Sequence, residues 1–269
     1  MMPIMKSWIL ILAFSGMAVV ANRAHAEDDE DLAKQLANPV ADLISVPFQF
    51  NYDGSIGSAS GDRMVLNIQP VIPFSLNENW NLITRTIVPV TWQHDAAGYS
   101  GSQFGLGDIV QSFFLSPKDP TESGITWGAG PVFLYPTATD DLTGLGKWGV
   151  GPTAAVLDIS GPWTVGLLAN HIWSFAGDSD RRDVNATFLQ PFVTYTTPGA
   201  WSFGLNTEAT YDWLADSWAV PLNATVGKLV VLGGQPVNFQ LGLRYWAESP
   251  AGGASGFGAR FVMNFVFPQ

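Results

Sequence analysis

The chain contains no cysteine, which excludes a disulfide framework, a thiol nucleophile and cysteine-bound zinc. Charge is scarce: 13% of its 269 residues are Asp, Glu, Lys or Arg, about half the usual share of a soluble domain. Basic residues are scarcer still, 12 Lys and Arg against 23 Asp and Glu, for a formal charge of −11. Such a balance disfavours nucleic acid as a partner, because phosphates need a basic surface. Beyond residue 20 there is no run of about 18 apolar residues, so a helical membrane span is excluded too. What is plentiful is apolar: 47% hydrophobic residues, with 11 Trp, 17 Phe, 28 Gly and 18 Pro. That mixture points to β structure with many turns.

Residues 1–26 read as a signal peptide. Lys6 precedes an apolar stretch from Ile9 to Val20, too short to span a bilayer, and Ala24-His25-Ala26 supplies the small-x-small cleavage pattern. Its removal takes Lys6 and Arg23 but none of the acids, so the mature balance is still more acidic. The chain is expected to be exported. Residues 27–44 are the one good helical candidate. Acids crowd the start (Glu27, Asp28, Asp29, Glu30, Asp31), where the helix dipole favours them. Leu32, Leu36, Val40 and Leu43 form one apolar stripe, and Pro39 limits its length. The segment reads as a short acidic amphipathic helix that fits the mouth of a larger domain as a plug.

From residue 45 to 269 the period is two, and the stretch reads as one domain. Met64, Leu66 and Ile68 alternate with Val65, Asn67 and Gln69; Trp80, Leu82, Thr84 and Thr86 alternate with Asn81, Ile83, Arg85 and Ile87. The same rhythm recurs to Phe267 and predicts about 12 strands, within a range of 10 to 14, longer than the roughly 5 or 6 residues usual in soluble sheets. Tight turns at 77–79, 160–162 and 198–200 fall between longer loops at 94–104, 137–146, 176–183 and 249–256. Short turns on one rim and long loops on the other predict a transmembrane up-and-down antiparallel β-barrel. The fold class is all-β, with a short N-terminal helix.

A soluble periplasmic β protein would also alternate, so the composition of each face decides. Trp80 and Trp92, Trp163 and Trp173, and Trp201 and Trp213 are separated by even intervals, so each pair points to one side of its strand. At roughly 3.3 Å per residue and about 40° of tilt, these intervals rise about 25–30 Å. This is the separation of the two aromatic girdles of a membrane barrel, where indole sits at the headgroups. On those faces Asp158 and Lys228 lie only at strand ends, whereas the opposite faces carry Asp53, Arg85, Asp108, Glu208, Asp212, Arg244, Glu248 and Arg260. Pro70, Pro73, Pro89, Pro131, Pro152 and Pro191 fall inside the predicted strands, and each removes a ladder donor. The glycines beside Pro131 and Pro152 suggest bulges or bends there.

Several segments carry a family resemblance: Asn38-Pro39-Val40-Ala41-Asp42-Leu43-Ile44-Ser45-Val46-Pro47, Trp80-Asn81-Leu82-Ile83-Thr84-Arg85, Gly105-Leu106-Gly107-Asp108-Ile109, Gly128-Ala129-Gly130-Pro131 and Gly146-Lys147-Trp148-Gly149-Val150-Gly151-Pro152. With these the chain resembles the outer-membrane transporter family of the MetA-pathway-of-phenol-degradation type, over nearly its whole mature length. The resemblance implies a β-barrel that passes hydrophobic or aromatic compounds, and it brings no catalytic residues. The chain departs from general outer-membrane habit at its end, where Pro268-Gln269 follow Phe267 and displace the usual terminal aromatic.

Candidate chemistry is thin. The mature chain has two histidines, His94 and His171. A barrel hydrolase needs Ser and His within hydrogen-bond reach and an orienting third group, and His171 and Ser174 face opposite sides of one strand. Asp140-Asp141 and Asp178-Ser179-Asp180-Arg181-Arg182-Asp183 are acidic outer loops; a solvated loop bridged to lipopolysaccharide by divalent ions fits them better than a calcium loop. No metal site, no cofactor and no catalytic residue is expected. Arg85, Glu208, Asp212, Arg244, Arg260 and Asp108 are the lumen candidates. They form either an ion-pair network that fills the lumen or a constriction that selects solutes by size and field.

The reading is therefore a barrel exported to the bacterial outer membrane. It contacts lipid and lipopolysaccharide, depends on the barrel-assembly machinery, and passes small, hydrophobic or aromatic molecules. The alternative is a structural, non-conducting barrel that presents loops; the third class is a membrane hydrolase.

Overall fold

A computed structural model describes residues 29–267. The signal peptide assigned to 1–26, the first two residues of the helical candidate, and Pro268-Gln269 lie outside the described residues. Alternating apolar and polar positions produce twelve strands: β1 (Ile44–Ile56), β2 (Gly61–Ile68, continuing as Val71–Ser75), β3 (Trp80–His94), β4 (Ser102–Leu106, continuing as Ile109–Pro117), β5 (Ile125–Tyr135) and β6 (Lys147–Ser160). They continue as β7 (Trp163–Gly177), β8 (Asn185–Thr196), β9 (Trp201–Thr207, continuing as Ala209–Asp212), β10 (Ser217–Leu232), β11 (Gln235–Glu248) and β12 (Gly256–Phe267). Each strand pairs antiparallel with its neighbours in sequence, and β12 pairs with β1 from Ile44–Phe267 to Asp53–Gly258. The sheet is a closed antiparallel barrel without a free edge. Closure satisfies the backbone internally, as a hydrocarbon surrounding requires.

The two faces separate cleanly. On β11, Leu241, Leu243 and Tyr245 point out and are exposed, while Asn238 and Arg244 point in and are buried. On β7 the outward Trp163, Val165, Leu167, Trp173 and Phe175 are all exposed, whereas Thr164 and Leu168 are buried. Leu241 and Leu243 are each 63% exposed at mid-strand. An apolar surface running around the whole barrel far exceeds the patches of a soluble monomer, and marks a lipid-facing wall.

The wall is interrupted at mid-height, and proline explains why. Pro70 splits β2. Pro89 on β3 faces the break in β4, where Gly107-Asp108 adds one residue to the ladder; Gly107 N donates to Pro89 O at 2.8 Å. Pro131 and Pro152 stand opposite each other in register, beside gaps in the outer ladders of β5 and β6. At the break in β9, Glu208 stands opposite Pro221 on β10, whose carbonyl accepts from Glu208 N at 3.4 Å, while Pro191 on β8 stands one residue away, opposite Thr207. A strand without the donor cannot hold its neighbour, so the disruption passes across the ladder.

The rims depart from expectation in two places. Segments 57–60 and 213–216 cross the long-loop rim as single tight turns, and 118–124 is a longer connection on the opposite rim. The contrast between rims is therefore incomplete, because Asp212 caps the second tight turn by accepting from Leu214 N (2.9 Å) and Ala215 N (3.1 Å). Trp213 accordingly lies in that turn, just past β9, rather than on a strand.

The described part of the N-terminal segment forms one short helix, α1, over 29–35. Lys34 pairs with Glu30 at 2.8 Å, four residues before it. Asn38 ends the segment's helical run by accepting from Val40 N at 2.8 Å, just where Pro39 forbids continuation. The rest of 36–43 packs inside the short-turn end of the barrel. Val40 is buried with Val71, Ile83, Phe114, Ala155, Leu157 and Leu168; Ala33, Ala41 and Leu43 are buried with Ala200, Leu229 and Val266. Gly128 makes the socket, since a Cβ there would lie 3.1 Å from both Val40 Cγ1 and Phe114 Cβ.

Candidate functional site: a charged lumen in two chambers

Three of the six lumen candidates, Glu208, Arg244 and Arg260, meet inside the barrel, together with Asp53 and Asn51. Glu208 occupies the break in β9, and its Oε2 accepts from Arg260 Nη2 (2.6 Å) and Arg244 Nη1 (3.3 Å). Arg244 Nε donates to Asp53 Oδ1 at 3.1 Å, and its Nη1 donates to Asn51 Oδ1 at 3.2 Å. Arg260 Nε donates to the same Asn51 oxygen at 2.7 Å. Both guanidinium groups are buried (side chains 6% and 3% exposed). Trp246 Nε1 also donates to Asp53 Oδ1 (2.8 Å), and its ring lies 5.5 Å from the Arg244 guanidinium. Glycine makes room for this cluster: a Cβ on Gly258 would stand 2.4 Å from Tyr52 O and 2.8 Å from Asp53 Oδ1.

Arg85 is in a different situation. It projects inward from the middle of β3, and Nη2 donates to Gln69 Oε1 at 2.8 Å. Among the described residues no carboxylate lies within ion-pair distance of it. Gln49, Gln69, Arg85 and Gln190 form a waist between two cavities. The cavity on the short-turn side, about 210 Å³, is bounded by Ala33, Leu36 and Pro39 of the N-terminal segment together with Arg260 and Asn264. The cavity on the long-loop side, about 390 Å³, is lined by Ile87, Val110, Leu134, Ile172 and Phe188, with Glu208 and Arg85 at its edge. These amides had no distinguishing mark in the sequence, where inward Gln is ordinary.

Asp108 and Asp212 lie apart from the cluster, Asp108 at the break in β4 and Asp212 at the long-loop rim. Asp108 accepts from Ala138 N (3.1 Å), Leu145 N and Gly146 N (3.3 Å), so it folds the 136–146 loop back over the mouth. Arg181 holds the same loop through Asp141 O (2.7 Å) and Gly144 O. Asp212 pairs with Arg182 at 2.8 Å in addition to capping its turn. Asp183, in the acidic loop, sits 3.0 Å from Lys147 Nζ. Hydrogen bonds from Lys147 and then Ser174, with the lysine's charge, hold its carboxyl below the usual range.

The girdle candidates all face outward. Trp80 packs edge-on against Trp127 at one rim (6.1 Å between centroids), and Trp163 against Tyr195 (4.9 Å). Trp201, at the same rim, lies under Lys228 Nζ at 5.6 Å. At the other rim Trp92 meets Phe104 (5.1 Å), Trp173 meets His171 (4.1 Å), and Trp213 meets Tyr211 (4.8 Å). His171 Nδ1 lies 2.7 Å from Thr187 Oγ1 on the outer wall. His94 has a contact that its sequence position did not reveal: Nδ1 is 2.9 Å from Ser102 Oγ on the neighbouring strand, and Nε2 is 3.4 Å from Asp95 Oδ2.

A closed twelve-stranded barrel, apolar outside and ionic within, is an outer-membrane-type β-barrel. Residues 57–259 match the family described as "Putative MetA-pathway of phenol degradation", and the protein belongs to that family. Its fold is similar to that of the COG4313 outer membrane channel from Pseudomonas putida F1, with a TM-score of 0.64 and 17% identity over 84% of this chain and 94% of that one. Outer membrane phospholipase A from Escherichia coli is more distant, with a TM-score of 0.51 and 11% identity over 83% of this chain and 90% of that one. At these identities the likeness concerns the fold. No curated protein matches the chain by sequence.

Proposed function

We propose that the protein is a channel of the bacterial outer membrane, exported by a cleaved signal peptide over residues 1–26, that passes small hydrophobic or aromatic solutes. The observation that carries this reading is the pair of cavities of about 390 Å³ and 210 Å³ on either side of an Arg-and-amide waist. A purely structural barrel of this size has no reason to leave its interior open or to turn Arg85, Arg244 and Arg260 into it. The apolar lining of the larger cavity suits a hydrophobic body. The family's link to phenol degradation is consistent with an aromatic one. The aromatic rims and apolar wall support contact with lipid; in this reading the outer leaflet brings lipopolysaccharide to the barrel, and assembly depends on the barrel-assembly machinery.

In this reading residues 29–43 act as a plug at the periplasmic mouth. Val40→Asp puts a carboxylate among Phe114, Ile83 and Leu157, a site that cannot solvate it. The variant, and a chain lacking 29–43, are expected to give several-fold larger single-channel conductance in planar bilayers than the unaltered protein. Conductance absent from all three would overturn the channel reading, and conductance equal in all three would overturn the plug.

The protein is not proposed to be an enzyme. Serine, histidine and acid do come together at His94, but Asp95 Oδ1 already accepts from Gly101 N at 2.8 Å and Oδ2 stands at 3.4 Å from the ring. At that length the contact is not a hydrogen bond that fixes the ring, and the His94 side chain is 59% exposed, so the imidazole is not oriented for catalysis. Ester hydrolysis in mixed micelles is expected to be at background for the unaltered chain and unchanged in Ser102→Ala. Hydrolysis that disappears with Ser102 would reverse this assignment.

A further inference from the structure

The lumen is not electrically balanced. Among the described residues, four arginines point into its middle, Arg63, Arg85, Arg244 and Arg260, against two carboxylates, Asp53 and Glu208; Asp108, Asp212 and Glu248 share the inward face but lie further toward the long-loop end. Both carboxylates are already engaged: Glu208 by Arg244 and Arg260, Asp53 by Arg244 and the Trp246 indole. The two remaining arginines hydrogen-bond only to neutral amides, Arg63 to Gln93 and Arg85 to Gln69, each at 2.8 Å. A chain with a formal charge of −11 thus encloses a positive interior.

The surplus is also well placed. Arg63 pairs across the ladder with Gln93 near the long-loop mouth, and Arg85 sits deeper, at the waist. Arg85 borders the larger cavity, whose exposed wall is mostly apolar through Ile87, Val110, Leu134, Ile172 and Phe188. A cation in a low-dielectric, shaped site attracts anions and raises their local concentration. Its guanidinium fork matches a carboxylate in particular.

We propose that this lumen binds an amphipathic carboxylate, with the carboxylate on Arg85 and the apolar body against Ile87, Val110, Leu134 and Phe188. Arg63 is the first contact on the way in. The assignment names the solute class of the channel and rests on the channel reading above. Gln69 keeps one guanidinium nitrogen in place and leaves the other donors of Arg85 directed to the cavity. A neutral solute of the same shape fills the cavity equally well but leaves those donors unmet, and this difference supplies the discrimination.

The test uses the purified full-length mature chain in detergent and in planar bilayers. Benzoate is compared with benzamide, its uncharged counterpart of nearly the same shape, by equilibrium binding at pH 7. Benzoate is expected to bind about tenfold more tightly, the preference disappearing in Arg85→Gln and largely surviving in Arg85→Lys. In a KCl gradient the unaltered channel is expected to prefer chloride, and Arg85→Gln to move the reversal potential toward zero. Equal binding of the two compounds overturns the carboxylate site while leaving the channel intact. Preferential benzoate binding without conductance in any chain removes the passage reading and leaves the site standing. Should Arg85→Gln fail to assemble, cation preference in the unaltered channel is itself sufficient to overturn the proposal.

Discussion

Leu241→Arg is expected to lower the stability of the barrel in phospholipid vesicles by about 2–4 kcal/mol, and Leu232→Arg by less than about 1 kcal/mol. The first residue lies at the middle of β11, facing outward between Val226 and Phe261; the second ends β10 beside the Gly233-Gly234 turn. Both leucines are more than half exposed (63% and 55%), so neither supports a packed core. In water the two substitutions would therefore cost nearly the same, close to nothing. In a bilayer they differ because an arginine at the rim reaches the headgroups, as Lys228 does beside Trp201. Gln240→Arg, one residue from Leu241 but facing the lumen, serves as the control and is expected to cost far less. Denaturant titrations of the three variants in vesicles give the answer. Equal stabilities for Leu241→Arg and Leu232→Arg would mean that hydrocarbon does not surround the wall.

The two-residue period made the wall and its lining legible in the sequence. The parity that sets Trp80 and Trp92 on one face sets Arg85 and Ile83 on the other, and no tertiary knowledge is needed to read it. The convergence of Arg244, Arg260 and Glu208 was legible only as a shared face. Their mutual contacts depend on register around the whole ring, through Asn51–Arg260 and Asn223–Arg244. Breaks in the strands were half legible. Pro70 marks its own, but Gly107-Asp108 and Glu208 carry no proline; the cause sits across the ladder in Pro89 for the first and in Pro221, with Pro191 beside it, for the second. Parity gave Asp108 and Asp212 an inward face but not their partners, the amides of the 136–146 loop and of the 213–216 turn. Ser102 escaped notice as a partner of His94 because the 95–101 turn sets their register, and the length of that turn alone does not reveal which residues face each other.

Glu208→Gln is expected to act on stability and on ion selection together. One oxygen of Glu208 accepts from two buried guanidinium groups, so removing its charge leaves Arg244 with Asp53 alone and Arg260 with no carboxylate. Breaking a buried ion pair from one side costs about 3–5 kcal/mol; the loss here should fall near the lower figure, about 3 kcal/mol, because the Glu208 side chain is 20% exposed to the cavity and water can partly replace it. The lumen also becomes more positive, so anion preference in a KCl gradient should rise, opposite in sign to the effect of Arg85→Gln. Stability alone does not separate a lost ion pair from a lost packing contact, and a double-mutant cycle does. If the pair is the cause, Glu208→Gln and Arg260→Gln together cost clearly less than the sum of the two single changes, since no unpaired charge remains at that position. Additive losses, with a reversal potential unmoved by Glu208→Gln, would reduce the network to inert filling and take the field of the lumen out of the mechanism of passage.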